Sequence, residues 1–163
     1  MFIEKCRETA FVESAEATAL LVDRFFRDQI LRQLGRKLDA GHRPLLLNLL
    51  DREARARLEP SFDDGETELF ENIYFCALLI YRIGDVRDSL AIWKAKMTDM
   101  DTGFGMDGEF MTGAGWEATI AYLRSLPDPQ ATKAAEHLSR GTDYESIEAW
   151  YAYQCQYYSH MAE

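Results

Sequence analysis

The chain has 163 residues, of which 47% are apolar and 28% charged, and it carries a net charge of −10 at neutral pH. That length fits one domain, residues 1–163, able to bury a core without metals or disulfides, and the composition excludes a disordered chain. An acidic surface repels nucleic acid and anionic lipid, so neither is an expected partner; the acidity either serves solubility alone or draws in a basic protein. In chain order, Val22, Phe26, Ile30, Leu34 and Leu38 recur every four residues and predict a long helix, closed by Gly41. Pro44 suits the first turn of a second helix, in which Leu45, Leu46, Leu49 and Leu50 precede a charged ladder that Pro60 ends. Residues 61 to 65 read as a loop. Glu66, Glu68 and Glu71 then place negative charge at the positive end of a third helix.

Residues 73 to 83 are apolar almost all round, the pattern of a central helix covered by neighbours. Asp85 is a suitable N-cap, and Val86, Leu90, Trp93 and Met97 trace one face of the helix after it. Trp116, Thr119, Ile120 and Leu123 mark another helix, preceded by an irregular glycine-rich stretch over residues 99 to 115. Asp128-Pro129 opens the next, Gly141 stops it, and Thr142-x-x-Glu145 reads as a capping box for the last. No segment alternates with period two. The expected fold is therefore all-α, a compact multi-helix bundle or an irregular stack of helical hairpins with about seven helices.

Charge is unevenly distributed. Residues 1 to 59 hold eleven Lys/Arg against ten Asp/Glu, whereas residues 60 to 163 hold seven against eighteen. Cys6, Cys76 and Cys155 are widely spaced and form no C-x-x-C pair, so buried structural thiols in a reducing compartment are expected. Charges interrupt the first 30 residues, which argues against a signal peptide, and the apolar run at residues 75 to 81 is too short for a membrane span. A cytoplasmic location is the expectation.

Familiar motifs are matched in letters alone. Gly103-Phe-Gly105-Met-Asp-Gly108 follows a helix rather than a strand and is ringed by carboxylates that repel a pyrophosphate. Asp99-x-Asp101-x-Gly103 opens like a calcium loop, but Phe104 and Phe110 stand where that loop needs Gly and Glu. Asp101-Thr102-Gly103 copies an aspartic-protease triplet without its β framework. His42, His137 and His160 pair with nothing at ligand spacing, and His137 reads as a solvated residue. No enzyme, metal or cofactor is predicted from these residues.

Two features remain. Five glycines between residues 103 and 115 call for backbone that turns sharply or approaches something closely. Either the stretch is a tight loop with Phe104, Met106, Phe110 and Met111 in the core, or it presents Asp99, Asp101, Asp107 and Glu109 to a basic partner. In the last helix Ile147, Tyr151, Cys155 and Tyr158 form one stripe and Trp150, Tyr153 and Tyr157 an adjoining one, an apolar face wider than one neighbour needs, which suits either a binding surface or a helix packed between two others.

The segments Leu78-Leu79-Ile80-Tyr81-Arg82, Leu90-Ala91-Ile92-Trp93-Lys94-Ala95-Lys96, Asp101-Thr102-Gly103-Phe104-Gly105-Met106-Asp107 and Gly113-Ala114-Gly115, with Asp85, resemble a family of small bacterial helical proteins. Members of such families are often immunity proteins of polymorphic or Rhs-type toxin systems. The resemblance covers about half the chain. It implies an immunity-type inhibitor that occludes a basic toxin domain, with Asp99, Asp101, Asp107, Glu109, Trp116, Trp150, Tyr153 and Tyr157 as contacts. Two alternatives stay open: a helical scaffold that self-associates, as a homodimer, through the aromatic helix, and a carboxylate-dependent hydrolase.

Overall fold

The computed structural model describes residues 2–59 and 67–162, and every regular element among them is helical. Short helices α1 (Phe2–Lys5), α2 (Thr9–Val12) and α3 (Ala15–Leu21) lead into α4 (Arg24–Arg36) and α5 (Arg43–Ala56). After α6 (Thr67–Phe70) come α7 (Asn72–Ile83), α8 (Ser89–Lys96) and α9 (Met100–Gly105). The remainder is α10 (Trp116–Ser125), α11 (Pro129–Leu138), α12 (Ile147–Tyr157) and α13 (Ser159–Ala162). The all-α class holds. The expected seven helices undercount the elements, because single-turn helices such as α1, α2 and α13 are too short to show a period.

Helix α7 lies at the centre. Its residues 72 to 80 are all buried, and it packs against α4, α5 and the 3-10 turn Gly108–Thr112. Leu45, Leu46, Leu49 and Leu50 of α5 supply one wall, and Ile30, Leu31 and Leu34 of α4 another. Buried apolar side chains from all the helices except α6 and α9 join in one cluster. Val22, which precedes α4, and Phe25 in its first turn are exposed, so the buried apolar stripe of this helix runs from Ile30 to Leu34. Inside this apolar setting sits a buried ion pair, Arg27 Nε to Glu53 Oε1 at 2.6 Å, with Arg27 also donating to the carbonyls of Leu21 and Val22.

Caps follow side-chain chemistry. Asp23 accepts from the amides of Phe25 and Phe26, and Asp128 from Gln130, so the predicted Asp128-Pro129 start is where α11 begins. Gly141, at φ 89°, follows the end of α11 as expected. Asp85 caps a 3-10 turn, Val86–Asp88, that runs into α8. The last helix is capped differently from the expectation: Ser146 Oγ accepts from the Ala149 amide, while the Thr142 hydroxyl only closes a turn onto Tyr144. Pro60, the loop at 61 to 65, Glu66 and the Glu68 side chain lie outside the described residues.

The glycine-rich stretch is ordered as α9 followed by the 3-10 turn Gly108–Thr112. Gly113 is needed for close approach, since a Cβ there would lie 2.2 Å from the Tyr81 carbonyl oxygen. Facing it, Gly84 ends α7 at φ 73°, a left-handed cap that leaves room for the Gly113 carbonyl. These two glycines let the α7 terminus and the turn cross in backbone contact. Met106, Phe110 and Met111 enter the core as expected, but Phe104 is 85% exposed and Met97 is exposed as well. Cys6 and Cys76 are buried, whereas Cys155 is exposed, a correction to its expected burial. No described helix is long and apolar enough to cross a membrane.

Candidate functional site

The acids of the glycine-rich stretch do not form one outward cluster. Asp99 caps α9, accepting from the Thr102 amide at 2.8 Å, and its other oxygen receives Arg57 Nε at 2.7 Å. Desolvation pulls the Asp99 carboxyl up, but the hydrogen bonds from Thr102 and Arg57 outweigh it, and the group titrates below its ordinary value. Arg57 in turn stacks 4.0 Å from the Phe70 ring centroid. Glu109 is buried in the turn. Asp101 alone of the four is exposed.

Asp107 is a hub. Its Oδ2 accepts from Tyr144 Oη at 2.9 Å, Trp150 Nε1 at 2.9 Å and Gln154 Nε2 at 3.1 Å, tying α12 to the end of α9. Burial and the hydrogen bond to Asp107 push the Tyr144 phenol well above its usual value. Trp150 is fully buried, edge-on to Phe110 and Tyr81 at 5.0 Å each, so it is a core residue and not a partner contact. The expected stripes of α12 are thereby redrawn. The inward row is Trp150, Gln154 and Tyr158, one every four residues, while Tyr153 and Tyr157 face out. Gln154 concealed this row, because it reads as a surface residue until Asp107 supplies its partner.

Tyr153 and Tyr157 stack with centroids 6.2 Å apart, and Tyr157 Oη donates to Glu71 Oε1 at 2.5 Å. That bond, aided by burial, pushes the Tyr157 phenol up to about 12. Between α7, α9 and α12 lies a cavity of about 340 Å³, lined by Phe70, Glu71, Tyr74, Gly105, Asp107, Tyr144, Tyr153, Gln154, Tyr157 and Tyr158. Gly105 forms its floor against Tyr74, whose hydroxyl lies 2.8 Å from where a Cβ would stand. Tyr74 also donates to the Asp101 carbonyl, so exposed Asp101 stands beside this cavity. Met100 and Phe104 are the exposed apolar residues of α9.

Of the predicted contacts, then, the fold brings Tyr153, Tyr157 and one edge of Asp107 to this cavity, with Asp101 beside it. Trp116 is half-buried at a second cavity, and Asp99, Glu109 and Trp150 are turned inward. Glu71, Tyr74, Tyr144 and Tyr158 were not anticipated. Glu71 read as a helix-terminus charge and Tyr74 as core, and only the approach of α12 to the start of α7 unites them. No group of three or more His, Cys, Asp or Glu suited to a metal occurs among the described residues. No protein-family model, curated protein or solved structure matches this chain.

Proposed function

We propose that this chain is a non-catalytic, immunity-type protein that binds and occludes a basic partner domain, engaging it through the α9–α12 face. The observation that carries this reading is the tyrosine-lined cavity holding the Glu71 and Asp107 carboxylates, rimmed by the outward rings of Tyr153 and Tyr157. Cationic side chains are attracted to ring faces and to carboxylates, and Tyr offers large contact area at small conformational cost. Exposed Met100 and Phe104 extend the apolar surface, and the excess acid of residues 60 to 163 speeds encounter with a basic partner.

A photo-crosslinking amino acid at position 153, introduced in the cells from which the chain comes, identifies what rests on this face. The reading expects a basic protein that is toxic when expressed alone and harmless when this chain is co-expressed. Tyr153→Ala and Tyr157→Ala should each weaken the purified complex by roughly 30-fold. Capture of another copy of this chain alone, or affinity unchanged by both substitutions, overturns the reading.

A further inference from the structure

A second cavity, about 370 Å³ in volume, lies on the other side of Asp107 and Tyr144, between the end of α8, the 3-10 turn and the end of α11. Lys96, Glu109, Trp116, His137 and Phe104 line it with them. Glu109 is only 6% exposed, yet among the described residues its carboxylate receives no hydrogen bond and no ion pair. Its oxygens are not sealed in the core but open onto this cavity, where a bound group could supply the donors that the protein does not.

The resident groups do not provide them. Lys96 Nζ donates to the carbonyls of Gly103 at 2.5 Å and Met106 at 2.7 Å rather than to Glu109. Burial, with the nearby Lys96 charge, pushes His137 below its ordinary value, so at neutral pH the imidazole is uncharged. Arg140 and Asp143 stand exposed at the mouth with opposite charges. Inside, two carboxylates, Asp107 and Glu109, face one ammonium, which leaves one negative charge without a counter-charge. Phe104, Trp116 and Tyr144 add ring surface.

We propose that this cavity is a binding site for a planar organic cation of the amidinium or guanidinium class, whose N–H groups pair with Glu109 while its plane lies against the aromatic wall. Such a cation supplies the missing charge and the missing donors together. The volume is at the small end for ligand sites, which fits a compact molecule or one arginine side chain. The site shares Asp107, Tyr144 and Phe104 with the α9–α12 face, and its test with a small cation needs no partner protein.

Calorimetry with benzamidinium tests it, with benzamide as the neutral and benzoate as the anionic control. Submillimolar binding of benzamidinium alone is expected, weakened about tenfold or more by Glu109→Gln and unchanged by Asp101→Asn or Tyr153→Ala. No binding, tighter binding of benzoate, or binding indifferent to Glu109→Gln overturns the proposal. If Glu109→Gln does not fold, Trp116→Ala takes its place and must weaken binding. Agmatine against a capped Gly-Arg-Gly peptide then separates the sources: preference for agmatine assigns a free small cation, and preference for the peptide assigns an arginine of a protein.

Discussion

The indole of Trp150 donates to Asp107 Oδ2 at 2.9 Å, joining residues 43 positions apart and seating the last long helix on the turn that follows α9. Because Tyr144 and Gln154 donate to the same oxygen, removing that acceptor strands three donors at once. Asp107→Ala should cost about 2–4 kcal/mol, whereas Asp107→Asn, which keeps one carbonyl oxygen, should cost less. Urea denaturation compares the two, and equal loss would show that charge matters more than hydrogen-bond geometry.

Gly113 carries a backbone crossing that no other residue fits. A Cβ there meets the Tyr81 carbonyl oxygen at 2.2 Å, so Gly113→Ala must separate α7 from the turn. The expected loss is about 2 kcal/mol or more, seen as a fall of several degrees in Tm. Gly103→Ala is the control, as its nearest neighbour would be 3.9 Å away and the change should be nearly neutral.

The Arg27–Glu53 pair has both side chains 4% exposed. Burial drives the Glu53 carboxyl upward against the pull of Arg27. Glu53→Gln leaves a buried guanidinium without its counter-charge and should cost about 3–5 kcal/mol, while replacing both partners by Met and Leu should be close to neutral. Chemical denaturation of the single and double variants measures the difference.

Thiol reactivity should follow burial. Cys155 is exposed, while burial pushes the Cys6 thiol up to about 11 and raises Cys76 as well. Iodoacetamide at neutral pH should therefore add one label to the native protein and three in denaturant, read by intact mass. Rapid native labelling of Cys6 would contradict the packing around α1.

Asp85 is held at about 2, below its ordinary 3.8, first by the hydrogen bond from the Arg87 side chain and then by the Arg87 amide and the nearby Arg43. A depressed carboxyl stabilises the fold fully above the unfolded value and loses that contribution as pH falls from about 4 to about 2. The Tm difference between the natural protein and Asp85→Asn should shrink across that window and stay level above it.

Much of the helical framework is local chemistry. Apolar residues at 3.6-residue spacing, the unbroken apolar run of α7, the Asp128-Pro129 start and the Gly141 stop each state their structure within a few positions, because helix bonds and caps connect near neighbours. Short elements escaped: α9 was hidden by two glycines, and the Thr142-x-x-Glu145 letters pointed to a cap four residues before the actual one, Ser146. What tertiary structure alone decided is the direction each polar side chain faces. Asp107 became a hub rather than a surface charge because Trp150 and Gln154 of α12, and Tyr144 from the segment before it, bring their donors to it. Trp150 and Gln154 turned inward with it, and Tyr153 and Tyr157 were left outside. A polar group is buried when donors or acceptors from distant segments satisfy it, and no local period encodes where those partners lie.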